Sequence, residues 1–523
     1  MHMTPPEPAD AMLTNPFEAL EPRTLLAGDL AMEAVSASVS FSKPLAQRMI
    51  SASATVQNIG DQTLRGPASV EFLLSSDSTI DSRDFVFARR PLQSAFRPGG
   101  RATASVKVPM PHDLVGLVQP GVTLPAGDYK VLARVVFGGD EETTSNNSGE
   151  APGSVTISYD FGDIGRNGSL HLQMLLSFTS FIKIDLRGGG RGELISSGGS
   201  FSLVLTGTTA RTRLDIETPN SFIFASLGGI TVDGPIGLII APRVDINGDI
   251  SISGAVGRIE LRDVSNSAWS IGGGGRTSRI EVRNLVNVSL SSEQPISRLD
   301  AALWQTFDGG DDAFVAPRVD RLTIRGGFDP DLSIAGSGTA PVLSSVTIRG
   351  AATGRWDILG NVNSISVGST TTGFGANIAG VIRGFKVTNT MSGTLAARNI
   401  DTLFVGGSLS GAVIVAGADL GSDAAVGGTG PAADRFGTGQ IDVIRVMGSM
   451  TNSLIAAGLD PVDNRFLNGD DRFIDAFSRL GNILIRGQAT GSSFAAPKLP
   501  ARASINGGLV STSSDSRFVT VFA

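Results

Sequence analysis

From Leu227 onward one frame of apolar and polar positions recurs along the chain. An apolar residue is followed after two positions by a second apolar residue, then a polar one, then a third apolar one, often ending at glycine or asparagine. The copies read LGGITVDG from Leu227, VGRIELRD from Val256, TSRIEVRN from Thr277, ISRLDAAL from Ile296, VDRLTIRG from Val319 and LSSVTIRG from Leu343. They continue as VNSISVGS from Val362, IRGFKVTN from Ile382, IDTLFVGG from Ile400, IDVIRVMG from Ile441 and LGNILIRG from Leu480. Within a copy, period-two alternation puts the apolar side chains on one face of a strand and Arg, Asp, Ser and Thr on the other. The second apolar residues Ile259, Ile280, Leu299, Leu322, Val346, Ile365, Phe385 and Leu403 are 21, 19, 23, 24, 19, 20 and 18 residues apart. That spacing is close to one coil of a β-solenoid, and because a single coil cannot bury its apolar face alone, the copies must stack. The next intervals, to Ile444 and Ile483, are 41 and 39 residues, so each is either one coil with an inserted loop or two coils with one degenerate.

A second, shorter run follows many copies: DLSIAG at 331–336, NIAG at 377–380, AVIVAG at 412–417 and SLIAAG at 453–458, whose small residues suit a narrow corner. The pattern predicts a parallel β-solenoid over residues 217–523, with residues 159–216 as junction and first capping coils and loop insertions at 417–440 and 458–478. Ten or so coils at about 4.8 Å each would extend roughly 50 Å. The competing fold is a further sandwich, since alternation alone does not specify parallel pairing. Recurrence of one frame in one orientation argues against it, and the glycine content together with the alternation excludes helical repeats.

Residues 32–158 follow a different rhythm, with short alternating runs separated by turn residues, the pattern of an antiparallel β-sandwich. Strand candidates are 51–57 (SASATVQ), 68–74 (ASVEFLL), 102–108 (ATASVKV) and 128–137 (DYKVLARVVF). Each presents one apolar face, so two sheets must pair to bury it. The expected fold class is therefore all-β: an immunoglobulin-like sandwich followed by a long solenoid.

Composition narrows the chemistry. The 66 glycines and 25 prolines against 2 tyrosines and 3 tryptophans favour turns and small side chains over aromatic pockets. With no cysteine among 523 residues, disulfides, thiolate metal sites and cysteine nucleophiles are excluded, and three histidines remain for imidazole chemistry. A net charge of -7 disfavours nucleic acid as a partner. No apolar run reaches the roughly 18–20 residues of a spanning helix, so no transmembrane segment is expected. The stretch 2–10 is acidic and proline-rich where an ordinary signal peptide would be basic and then apolar.

Residues 15–29 (NPFEALEPRTLLAGD) resemble the LEPR-type amino-terminal motif of large exported bacterial surface proteins, through Phe17, Glu18, Leu20, Glu21, Pro22, Arg23, Leu25 and Leu26. The resemblance implies that residues 1–31 are an export segment. Read without it, Phe17, Leu20, Leu25 and Leu26 could share the apolar face of a short helix. VQNIGDQ (56–62), FLLSSDSTIDSRD (72–84), LPAGDY (124–129) and DEETTSNN (140–147) resemble the bacterial adhesion-related CARDB family, an immunoglobulin-like module. That likeness implies binding or display rather than catalysis, at the cell surface or outside the cell.

Candidate chemistry is sparse. Asp77, Asp81 and Asp84 share one loop and could take a hard cation such as calcium, although Asp and Ser are also ordinary turn formers. Asp460, Asp463, Asn464, Asn468, Asp470 and Asp471 crowd a second loop without following the EF-hand spacing. Calcium is thus a possible ligand, and no cofactor is required. A polysaccharide-cleaving solenoid would need a cluster of carboxylates stacked on one strand face. Asp308, Asp311 and Asp312 (FDGGDD) and Asp329 and Asp331 (FDPDL) are the acidic patches available, but neither holds vertically stackable carboxylates, and as Gly- and Pro-containing turns both have a structural explanation. His112, between Pro111 and Asp113, reads as a solvated loop residue. No catalytic residue is assigned. The expectation is a non-enzymatic exported structural or adhesion protein whose partner is a surface protein or polysaccharide, against the alternative of a carbohydrate-active solenoid enzyme or carbohydrate-binding adhesin.

Overall fold

A computed structural model describes residues 27–42, 47–109, 127–157, 159–163, 169–170, 172–177, 180–197, 200–218, 224–336 and 339–520. Among them there is no α-helix, and the chain divides into two compact units, the first closing near Thr156.

The first unit holds two main sheets. One orders Leu30–Ser42, Gln47–Asn58 and Arg101–Pro109; the other orders Val155–Ile157, Gly127–Phe137, Ala68–Ser75 and Phe85–Pro91, with Ser148–Glu150 also pairing on Gly127–Phe137. Alternation places Ala52, Ala54 and Val56 in the core. On the opposite face of that strand the hydroxyl pairs Ser53–Ser105 and Thr55–Thr103 cross to the neighbouring strand at 3.1 and 3.0 Å. The turn in VQNIGDQ is organised by a buried Asn58. Its Oδ1 accepts the amides of Asp29 and Gly60, and its Nδ2 donates to the carbonyls of Gln62 and Phe96. Glu71, on the central strand, is buried directly opposite Arg89 and Arg134 and pairs with both.

The second unit is a parallel β-solenoid from about residue 225 to 519. Its ladder runs through the repeated apolar position. Leu214, Ile239, Ile259, Ile280, Leu299, Leu322, Val346, Ile365, Phe385, Leu403, Ile444 and Ile483 each sit opposite the next in parallel register. All are buried, because this column is the inward side of the first of three sheets. In the coil beginning at Val319, Leu322 and Ile324 face inward on the first sheet, Phe328 on the second, and Leu332 and Ile334 on the third. Both long intervals are single coils with insertions, since Leu403 pairs with Ile444 and Ile444 with Ile483 without a rung between.

Two expectations are corrected. The copy from Leu227 belongs to the third sheet: Ile230 and Val232 pair with Leu203 and Leu205 and with Ile250 and Ile252. The rung belonging to the first sheet there is Ile236–Ala241. The junction also differs from capping coils. Leu172–Ser177, Ser180–Arg187, Arg191–Ser197 and Ser200–Thr206 pair antiparallel, and parallel stacking begins at Ser200–Thr206 and Arg213–Glu217. At the other end Arg502–Ile505 turns back on Gly508–Ser511 as an antiparallel hairpin. A parallel stack left bare would present an open row of amides and carbonyls, and hairpins at both ends terminate it.

Side-chain columns reinforce the stack. Trp304, Phe328, Trp356 and Phe374 follow one another through the core with ring centroids 5.2–5.8 Å apart and mainly edge-to-face. At a corner, Asn247, Asn266 and Asn287 form an amide ladder, Nδ2 donating to the preceding Oδ1 at 2.9 and 3.1 Å. Asn266 and Asn287 hold positive φ, which asparagine tolerates better than other side chains.

Candidate functional site

The insertions build the most distinctive feature of the solenoid surface. Each leaves the third sheet at a glycine with positive φ, Gly417 (+83°) and Gly458 (+65°). A Cβ at Gly417 would come within 2.3 Å of the Gly437 carbonyl, and one at Gly458 within 2.1 Å of Ser478 Oγ, so neither exit admits a side chain. Immediately afterwards each loop closes a two-residue antiparallel ladder, Ala418–Asp419 with Arg435–Phe436 and Leu459–Asp460 with Arg472–Phe473.

These hairpins cover the outer face of the third sheet. Ala396, Val415, Leu454, Ala456 and Ala495 point away from the main core, yet they are buried in a second apolar cluster with Ala418, Leu420 and Leu459 from the insertions. Phe436, Phe466 and Phe473 pack against that cluster, and Phe436 meets Phe466 edge-to-face at 6.4 Å, joining one insertion to the next. AVIVAG and SLIAAG are therefore continuously apolar because both faces of these strands are covered, not because a narrow corner demands small residues.

One polar residue anchors the first insertion. Asn377 is fully buried; its Oδ1 accepts the Leu420 amide at 2.9 Å, and its Nδ2 donates to Asp419 Oδ1 (2.9 Å), the Gly421 carbonyl (3.0 Å) and Asp357 Oδ1 (3.2 Å). Burial pushes the Asp357 carboxyl up, the Asn377 bond opposes this, and nearby Asp419 adds to it. Alongside lies an open cleft of about 370 Å³, bordered by Arg398, Asp419, Arg435, Phe436 and Thr438. Within the NIAG run Asn377 shows no role in sequence, because its partners in the insertion lie more than forty residues away.

The aspartates singled out in sequence are engaged locally. In the first unit, Asp77 Oδ1 accepts the Thr79 amide and Asp81 Oδ1 the Arg83 amide at 2.7 Å each, while Asp84 Oδ2 accepts the Asp81 amide at 2.8 Å. The Arg83 guanidinium pairs with both Asp77 and Asp81, putting a cation of the chain among them. In the second insertion Asp460 pairs with Arg472 at 2.9 Å. Asp463 holds the Arg465 amide and the Asn468 side chain, and Asp470 is exposed. Asp471 is buried; one oxygen accepts the Leu467 amide, and burial pushes its carboxyl up. Among the described residues no three carboxylate or imidazole groups come together as a metal site.

The acidic patches weighed for catalysis are turn and rung fasteners. Asp312 Oδ2 accepts the Val288 amide and the Thr306 hydroxyl, Asp308 caps the Gly310 amide, Asp329 accepts from Thr353, and Asp331 accepts the Arg355 amide. Asp311 is exposed. Phe17, Glu18, Leu20, Glu21, Pro22, Arg23, Leu25 and Leu26, and likewise His112, lie outside the described residues. No helix among the described residues is long and apolar enough to cross a membrane. Compared with known protein families, with curated proteins and with solved structures, the chain finds no match.

Proposed function

We propose that this chain is a non-enzymatic, exported bacterial surface or extracellular-matrix protein, in which a rigid β-solenoid displays loops behind an immunoglobulin-like, CARDB-type module. The observation that carries the reading is the platform on the third sheet. Two insertions on consecutive rungs share an apolar cluster of their own, separate from the core that holds the coils together. Such loops can vary without disturbing the stack, which is the division of labour of a display scaffold. The likeness of residues 15–29 to the LEPR-type motif supports export, and the pairing of the acidic turns with nearby amides supports a structural role for them.

Surface labelling of intact cells tests the location, and a reporter fused to residues 1–31 tests the segment. Protein labelled only after lysis, with the reporter retained inside, would overturn export. Incubation with a panel of polysaccharides tests the absence of catalysis: product release that Asp311→Ala or Asp312→Ala abolishes would replace this reading with a carbohydrate-active enzyme.

A further inference from the structure

The outward side of the first sheet changes character part-way along the solenoid. On the earlier rungs two of its columns form a ladder of opposite charges. Arg258 pairs with Glu260 and Glu281, Arg279 with Glu281, and Arg298 with Asp300. Parallel register carries these columns on to later rungs, where the chemistry differs. Arg258, Arg279, Arg298, Arg321, Ser345 and Ser364 occupy one outward position, and Glu260, Glu281, Asp300, Thr323, Thr347 and Ser366 the other. From Thr323 to Ser366 hydroxyls replace the carboxylates.

The arginines do not disappear with their partners. Arg321, Arg325 and Arg349 are exposed, and none pairs with a carboxylate among the described residues; the nearby Asp320 is held by Arg318. Arg325 and Arg349 follow the paired residues Ile324 and Ile348 and precede the Gly350–Gly326 backbone bond, so they occupy the same position on adjacent rungs. Rungs lie about 4.8 Å apart. Two like charges at that separation disfavour the free fold, and an anion bridging them would remove the repulsion. Gly350 lets its rung close on the one before, since a Cβ there would come within 2.6 Å of the Gly326 carbonyl oxygen.

We propose that this face, centred on Arg321, Arg325 and Arg349 and floored by Thr323, Ser345 and Thr347, binds an acidic polysaccharide. Guanidinium groups take carboxylate or sulfate oxygens in bidentate fashion, and the rows of Ser and Thr hydroxyls offer donors and acceptors at rung spacing to a polyhydroxylated chain. On the rungs of Arg321, Ser345 and Ser364 the outward positions carry no aromatic side chain on which a nucleobase could stack; Phe404 stands two rungs further on with Lys386 over its ring. The net charge of -7 works against long-range attraction of nucleic acid. On the earlier rungs the acidic column neutralises Arg258, Arg279 and Arg298, so recognition centres on the later stretch; Arg283, exposed and without a carboxylate partner among the described residues, lies two rungs before Arg325. The proposal names a partner class for the display reading, but it rests on the arginine positions and not on export.

The test uses the full chain with alginate, dextran sulfate, neutral dextran and single-stranded DNA as probes, in low and in moderate salt. Alginate or dextran sulfate is expected to bind, more weakly as salt rises, while neutral dextran does not. R325Q/R349Q should bind roughly tenfold or more weakly. R101Q/K107Q, which removes the same charge from the first unit, should bind as wild type does. A thermal melt of R325Q/R349Q should show an unchanged or higher midpoint, excluding misfolding as the cause of lost binding. No binding to either acidic polymer, binding unaffected by R325Q/R349Q, or equal binding to DNA would each overturn the proposal. Polysaccharide binding by a protein found inside the cell would leave this face as argued and remove only the proposed location.

Discussion

Leu403 and Ile444 are direct partners in the parallel ladder although 41 residues separate them in sequence. The insertion between them therefore leaves the rung, folds against the outer face of the third sheet and returns without shifting the register. Both residues are fully buried and hold adjoining rungs together. Leu403→Ala is expected to cost about 2–5 kcal/mol, the ordinary penalty for an unfilled core cavity. Because stacked repeats are coupled to their neighbours, denaturant unfolding should show a lower midpoint for the whole solenoid.

The anchoring of the first insertion depends on one amide. Asn377→Ala leaves the Leu420 amide without its acceptor and the Gly421 carbonyl without the Asn377 donor, while Asp419 keeps only the Gly421 amide, a loss of about 1–3 kcal/mol. Limited proteolysis should then cut within residues 419–435 much faster than in wild type, while the rest of the solenoid stays intact.

Phe436 and Phe466 couple the two insertions. Phe436→Ala and Phe466→Ala should each accelerate amide exchange in both loops rather than in one, and the double variant should be less destabilised than the sum of the singles. A non-additivity of about 0.5–1.5 kcal/mol is expected for such a ring pair.

Glu71 gives the first unit an acid-dependent stability. Burial works to raise its carboxyl, but hydrogen bonds and attraction from Arg134 and Arg89 outweigh burial and hold it below the ordinary glutamate range. Since the folded-state value lies below the unfolded one, the contribution is fully present above the unfolded value and is lost as pH falls through the folded value. Glu71→Gln should be less stable than wild type at neutral pH, by about 1–3 kcal/mol. The difference should shrink on acidification, measured as unfolding midpoints across pH 7 to 3.

The solenoid is legible in the sequence wherever polar side chains alternate with apolar ones. Ile259 through Ile483 stand out because residues such as Arg258 and Glu260 flank the inward positions, and the observed ladder joins those same residues. The rung at Ile239 is hidden for the converse reason: its outward neighbours Leu238 and Ile240 are apolar, so the alternation vanishes. ITV from Ile230 matches the frame equally well, yet it lies on the third sheet, since a period of two says nothing about which side of a coil a strand occupies. The capping hairpins at 172–206 are not distinguished from coils because antiparallel and parallel strands share that period. At the platform, the doubly apolar AVIVAG and SLIAAG runs mark covered strands, but which loops cover them depends on contacts distant in sequence. Exposed arginines are visible one by one; their alignment on adjacent rungs requires the register.

Placing a cysteine pair across the first insertion tests the winding most directly, since the chain has no cysteine of its own. Thr402 lies opposite Val443, both beside the Leu403–Ile444 pair. On mild oxidation, Thr402→Cys/Val443→Cys should form an intramolecular disulfide readily, because neighbouring strands bring such positions within bonding range. Thr402→Cys/Arg445→Cys, displaced by two residues, should form far less. Faster or more complete bonding in the displaced pair than in the aligned one, or bonds formed only between separate molecules, would contradict the stacked parallel coils.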